Sequence, residues 1–287
     1  MRASRELVLK SEGEATNFDS GSVFFIGTAT TIIRYGGFTI LTDPNFLHKG
    51  EMVRLGYGLR SRRRTNPAME IEDLPPIDLV VLSHMHEDHF DRVALEKLDK
   101  TLPIVSTGHA VASLVDAGFG SAMPLQTWET LRVIKGDALL NITSMPGKHG
   151  PGILAKALPP VMGSMLEFGK MGEEPSLRLY ITGDTLIHDD LREIPQRYPN
   201  IDLALLHLGG TRVLGVLLTM DGKQGLEALR LVAPKMAIPI HYNDYTVFKS
   251  PLRDFAREVK AAGLENKVKY LRRGDTYSFN VNNAIRI

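Results

Sequence analysis

The residues best equipped for chemistry stand together at Ser83-His84-Met85-His86-Glu87-Asp88-His89-Phe90-Asp91. Three imidazoles and the Asp88 carboxylate fall within residues 84–89, a set that is costly to bury without partners. Neutral imidazole and carboxylate together suit zinc, manganese or iron, so the chemistry on offer is that of a metal centre. The stretch follows an apolar run, Ile77-Asp78-Leu79-Val80-Val81-Leu82, that reads as a buried strand. Extended past that strand, the chain would point His84, His86 and Asp88 to one side at period two. His89 would then sit where the chain turns into the amphipathic segment 91–98. The alternative is a polar, histidine-rich surface loop, and the apolar strand before it argues against that.

Other histidines and aspartates stand at the ends of predicted strands. Residues 138–143 read as a strand leading to His149, whose neighbours Gly147 and Gly150 permit close backbone approach. Residues 177–182 lead to Gly183-Asp184-Thr185, where Asp184 by itself reads as a turn former. His188 is close enough in sequence to line the same cavity. The strand 201–206 ends at His207, read as a core or supporting histidine or a substrate contact. The strand 236–240 ends at His241-Tyr242, and residues 38–42 end at Asp43-Pro44. By itself Asp43 reads as a turn aspartate before proline.

The elements that must position these groups begin with strands. Residues 23–26, 30–35 and 38–42 read as an antiparallel meander, with Gly36-Gly37 as a two-residue hairpin turn. Residues 1–21 read as a loosely held lead-in, and 22–287 as one domain. The stretch 46–76, with several glycines and prolines, is too long for an ordinary connection and is expected to be a functional or a disordered loop. It carries Leu59-Arg60-Ser61-Arg62-Arg63-Arg64, read either as a solvated face or as an anion clamp in which Arg60 and Arg62 reach substrate. Residues 150–160 form a second glycine- and proline-bearing loop, a candidate pocket wall. Asp221 opens a helix running through Val232, and Ser250-Pro251 reads as the start of another.

The motif strand-Ser-His-x-His-x-Asp-His resembles the signature of the metallo-β-lactamase superfamily, over roughly residues 22–242. That resemblance implies an α/β fold, an αββα sandwich of two mixed sheets flanked by helices. It implies that His84, His86 and His149 hold one metal, Asp88, His89 and His241 a second, and that Asp184 bridges them. Asp43 would support the site from behind. Two divalent ions, zinc first with manganese or iron as alternatives, would share a bridging hydroxide, with Asp88 and Asp184 as the catalytic carboxylates. The Leu41-Thr42-Asp43-Pro44 strand end is most similar to two branches, the ascorbate-6-phosphate lactonases and the phospholipases D that cleave N-acyl phosphatidylethanolamine. Gly27-Thr28-Ala29 departs from the Gly-His of relatives, and His207-Leu208-Gly209-Gly210 from a proline-containing segment, which leaves the substrate open.

The expected activity is therefore metal-dependent hydrolysis of a lactone, ester or phosphodiester. An RNA-processing nuclease is the first alternative, and it lacks the extended basic surface that a nucleic-acid backbone needs. A diiron or metal-binding protein without hydrolytic activity is the second. A formal net charge of +1 gives no general attraction to nucleic acid or membranes. No run of about eighteen apolar residues is present to span a membrane. The acidic, interrupted N-terminus is no signal peptide, so a cytoplasmic location is expected. Zero cysteines exclude disulfides and thiolate ligands. The expected partners are a small-molecule substrate, anionic in the clamp reading, and further copies of the chain as a homo-oligomer.

Overall fold

The computed structural model describes residues 5–11, 16–56, 58–152, 155 and 158–281. Residues 5–9 correct the lead-in reading: β1 (Arg5–Leu9) is a regular strand with partners far along the chain. The meander follows as expected, with β2 (Ser20–Gly27), β3 (Thr30–Tyr35) and β4 (Phe38–Thr42) pairing antiparallel. Gly36 and Gly37 lie at φ 58° and 76°, the backbone that a two-residue hairpin of matching twist requires. The stretch 46–76 is more ordered than its composition suggests. It holds a hairpin of β5 (Met52–Arg54) and β6 (Arg60–Arg62).

The apolar run 77–82 forms β7 (Leu79–Val81), which pairs parallel with β4. Two helical crossovers then continue the sheet: α1 (Arg92–Lys97), β8 (Ile104–Ser106), α2 (Gly108–Asp116) and β9 (Ala122–Pro124). Asp91 caps α1 by accepting from the Ala94 N–H at 2.9 Å. Its other oxygen accepts from the Phe46 and Leu47 N–H groups, which ties the start of the long loop to the histidine-rich turn.

The second half repeats this plan. β10 (Thr130–Lys135), β11 (Ala138–Met145), β12 (Gly163–Lys170) and β13 (Leu177–Ile181) are antiparallel. The short α3 (Glu193–Arg197) leads to β14 (Leu203–His207), parallel to β13. A hairpin of β15 (Arg212–Val213) and β16 (Val216–Leu217) precedes α4 (Gly222–Val232), and β17 (Met236–Ile240) pairs parallel with β14. The last helix is α5 (Leu252–Ala261), whose cap position is Pro251. Ser250 does not cap it; its Oγ accepts from the Gly222 N–H of α4. Residues 268–271 make only a single bridge, between Val268 and Ala237.

The two halves exchange their outer strands. β1 lies beside β10, while β18 (Thr276–Asn280) returns to pair with β2. Two seven-stranded mixed sheets result, ordered β1-β10-β11-β12-β13-β14-β17 and β18-β2-β3-β4-β7-β8-β9. Between them lies one apolar layer, to which Phe25, Ile33 and Ile40 contribute from one sheet and Ile142, Leu166 and Ile238 from the other. α4 and α5 cover the outer face of the first sheet through Leu229, Phe255 and Val259. α1 and α2 cover the second through Ala94, Ala110 and Leu114. The fold is the αββα sandwich anticipated from the sequence, helices outside and sheets within.

Candidate metal centre

Every histidine and aspartate of the centre leaves the C-terminal end of a strand. Asp43 follows β4, His84 to His89 follow β7, and His149 follows β11. Asp184 follows β13, His207 ends β14, and His241 follows β17. Strand ends from both sheets thus meet at one edge of the sandwich. The chain past β7 is a turn and not an extended strand. The His89 and Phe90 N–H groups both donate to the His86 carbonyl, at 2.9 and 2.8 Å. The turn, and not period-two alternation, brings Asp88 and His89 inward beside His84 and His86.

Donor atoms of His84, His86 and His149 lie within 4.8 Å of one another, as do those of Asp88, His89 and His241. His84, His89 and Asp184 form a third such group, which places Asp184 between the first two. The seven expected ligands are therefore brought together. Among the described residues, five of their buried atoms have no hydrogen-bond partner: Nε2 of His86, His89 and His241, and Oδ1 of Asp88 and Asp184. Buried polar atoms are almost always partnered, and leaving this many bare would be expensive. Their convergence, and a donor set of imidazole and carboxylate, fit divalent cations.

The candidate ligand atoms are aimed by bonds behind them. His149 Nδ1 lies 3.1 Å from the Leu218 carbonyl and His241 Nδ1 3.1 Å from the Leu208 carbonyl. A ring that donates Nδ1–H backwards presents Nε2 as the lone pair. Asp184 Oδ2 accepts from the Thr219 hydroxyl at 3.1 Å, leaving Oδ1 to face the centre. The backbone is strained where it turns into the site. Asp43 at φ 36° and His241 at φ 60° are left-handed without being glycine. His241 is pinned there by its N–H, 2.5 Å from the Thr28 carbonyl. At Gly183, φ 62°, a Cβ would come 2.6 Å from the Met162 carbonyl oxygen, so only glycine turns the chain there.

Charge separates the histidines into two kinds. Burial holds His84, His86 and His149 below the usual imidazole range, His86 down to about 4, so these three are neutral at pH 7. Burial also opposes charge on His89, but Asp184, Asp43 and Asp88 around it pull it well above that range. His241 is raised against burial by Asp184. Burial would push the carboxyls up; the neighbouring imidazoles hold Asp88 and Asp184 below their ordinary value. A cluster of buried carboxylates that strongly favours positive charge at its centre is one a cation satisfies.

Asp43 and His207 stand behind the centre, both fully buried. Asp43 accepts from the Ser83 N–H at 2.7 Å and the Ser83 hydroxyl at 3.0 Å, and lies 3.1 Å from His89 Nδ1. His207 Nε2 is 3.2 Å from the same carboxylate and Nδ1 is 3.3 Å from Thr182 Oγ1, so it packs behind Asp43 and does not line the pocket that opens over the cluster. Burial would raise Asp43, yet His89 and His207 keep it at about 2. His188 is not brought to the centre. It lines a separate depression with Lys148 and Arg192, its Nδ1 3.5 Å from Asp190.

A pocket of about 330 Å³ opens over the metal-ligand cluster, floored by His86, Asp88, His149 and Asp184. The hairpin β5–β6 reaches it, but with Leu55 and Leu59. Arg60 and Arg62 are exposed and do not line it. Arg63, undistinguished in the sequence run, is 1% exposed and donates to the Tyr245 hydroxyl at 3.2 Å. Tyr245 in turn donates to Asn45, whose Nδ2 donates to the Glu87 carbonyl within the metal-binding turn. Nothing in the local sequence marks Asn45, Thr219 or Tyr245, because their partners are distant in the chain. Of the second expected wall, Leu158 lines the pocket, while residues 153–154 and 156–157 lie outside the described residues.

A model of the beta-lactamase superfamily domain matches residues 39–242, a span that includes the Asp43 strand end and every expected ligand. A UPF0173 metal-dependent hydrolase of Thermus thermophilus is 30% identical over 244 residues, covering 85% of this chain and 93% of the relative. The chain belongs to the UPF0173 metal-dependent hydrolase family of the beta-lactamase superfamily. A UPF0173 protein of Bacillus subtilis is 26% identical over 265 residues, covering 88% of this chain. Among solved structures, an isothiocyanate hydrolase from Delia radicum gut bacteria superposes with TM-score 0.75 at 21% identity, covering 91% of this chain and 99% of that one. Igni18, a metallo hydrolase of Ignicoccus hospitalis, gives 0.64 at 25% identity, covering 91% and 98%. This UPF0173 member is thus a metal-dependent hydrolase of the beta-lactamase fold. Among its described residues, no helix is long and apolar enough to cross a membrane.

Proposed function

We propose that the protein hydrolyses a small-molecule ester, lactone or phosphodiester at a dinuclear centre. His84, His86 and His149 would hold one ion, Asp88, His89 and His241 the other, with Asp184 between them. The observation that carries this reading is the convergence of bare, buried donor atoms at the floor of a pocket. Bound divalent ions, zinc or otherwise manganese or iron, would supply a water of lowered pKa and a Lewis acid for the substrate oxygen.

The chain's own groups do the rest. Asp88 Oδ1 is a buried acceptor at the floor and is placed to take a proton from the attacking water. Thr219 and the Leu208 and Leu218 carbonyls keep Asp184, His241 and His149 from rotating away. The strand end Leu41-Thr42-Asp43-Pro44 supports the lactonase- and phospholipase D-like branch as the nearest source of analogous substrates. The nuclease alternative finds no support in the pocket, whose walls carry no arginine or lysine among the described residues.

Metal analysis tests the reading. Protein dialysed against excess zinc, manganese or ferrous iron and then freed of unbound metal is expected to retain two equivalents per chain. A limit of one equivalent would remove the dinuclear centre, and none would remove the metal-dependent mechanism.

A further inference from the structure

The pocket above the metal ligands is polar at its floor and apolar at its walls. Leu55 and Leu59 come from the β5–β6 hairpin, and Val213, Leu214 and Val216 from the β15–β16 hairpin. Leu218 and Leu158 close the remaining sides. Outside the floor, a single polar side chain among the described residues lines the space, that of Thr211. Its hydroxyl oxygen is buried and, among the described residues, has no hydrogen-bond partner. An unpartnered buried hydroxyl is uncommon in folded proteins and marks a place where a partner is expected.

Leu214 adds an independent observation. It is 98% exposed and sits with Gly215 at the tip of its hairpin, both at positive φ, 49° and 82°. Two-residue turns of this kind take asparagine, aspartate or glycine at the first position, where a leucine strains the backbone. Nothing in the fold rewards a leucine there, since its side chain packs on no core. It gains contacts only when something apolar enters the pocket it borders.

We infer that the substrate is an uncharged ester or lactone whose alkyl or aryl group is held between the two hairpins and whose polar reacting group meets the Thr211 hydroxyl. This rests on the hydrolase reading and narrows it, ranking charged phosphodiesters below neutral esters because, among the described residues, no cationic side chain lines the wall. Cleavage joins the water oxygen to the carbonyl carbon and breaks that carbon's bond to the leaving oxygen, which ends protonated. Thr211 donates a hydrogen bond to the substrate, and Leu214 contributes apolar contact only.

The test holds the leaving group constant. 4-Nitrophenyl acetate, butanoate and hexanoate are compared with bis(4-nitrophenyl) phosphate on metal-loaded full-length protein. Burying a methylene is worth about a fourfold change at most, so kcat/KM is expected to rise about two- to fourfold per methylene. The phosphodiester is expected to lie at least about tenfold below the hexanoate. Leu214→Ser should shrink the hexanoate-to-acetate ratio by about threefold or more. Thr211→Val should lower kcat/KM on all esters by about tenfold, with Thr211→Ser restoring most of it. A flat ester series, or preference for the phosphodiester, would overturn the inference.

Calorimetric titration with acetamide and hexanamide, which are not turned over, separates the two readings. Tighter binding of hexanamide with no turnover of any ester or phosphate sustains the apolar site and removes the hydrolase reading. Equal or undetectable binding of both amides overturns the inference whatever the turnover.

Discussion

The Asp43 carboxylate lies 3.1 Å from Nδ1 of His89, although 46 positions separate the two in the chain. The contact turns the His89 ring so that Nε2, buried and without a hydrogen bond, faces the candidate ligand cluster, 3.4 Å from Asp184 Oδ2. Partners of this kind commonly govern metal affinity by one to two orders of magnitude.

Asp43→Asn keeps the shape of the side chain but removes the charge that steadies His89 and His207. The metal held with His89 is expected to bind about 10- to 100-fold more weakly, and the metal of His84, His86 and His149 much less so. Competition with a chromophoric chelator resolves the two sites. Equal weakening of both, or of neither, would detach Asp43 from His89.

Asp184 belongs to the group that joins the two sets of donors, so its loss acts on both. Asp184→Asn is expected to reduce content of both metals and to remove most activity. Retention of two equivalents with near-native turnover would return Asp184 to a turn residue.

Chelation should also cost stability. An ion that binds only the folded chain contributes about 2.7 kcal/mol when present at 100 times its Kd. Tm is therefore expected to fall on extended dialysis against a strong chelator and to recover on adding the metal back. Coincident melts of chelated and loaded protein would contradict the fit between these donors and a cation.

The arginine run divides by burial. Arg60→Ala and Arg62→Ala remove exposed charges and should leave stability within about 0.5 kcal/mol and kcat/KM unchanged. Arg63→Ala empties a buried position and strips Tyr245 of its donor, with an expected loss on the order of 3 kcal/mol in denaturant titrations. Tyr245→Phe should cost about 1–3 kcal/mol, because Asn45 Oδ1 loses the hydroxyl that donates to it. A loss of activity at Arg60 or Arg62 would restore them to substrate binding.

Periodicity and local chemistry determined much of this protein. The apolar runs that became β7, β13, β14 and β17 were legible because a strand buried on both faces is continuously hydrophobic. Gly36-Gly37 announced its turn, and the histidine-rich stretch announced a metal centre, since each signal lies within a few residues. What the chain could not disclose locally was the exchange of β1 and β18 between sheets, because pairing partners more than a hundred residues apart leave no mark on either segment. Nor could it separate Arg63 from Arg60 and Arg62: three identical side chains in one run differ only in where the hairpin points them. The 150–160 loop was legible as a candidate pocket wall, but nothing in the sequence singled out Leu55, Leu214, Leu218 or Thr211. Only the meeting of two hairpins over the strand ends made them the lining of a site, because a pocket is a property of surfaces that the fold brings together and not of any one segment.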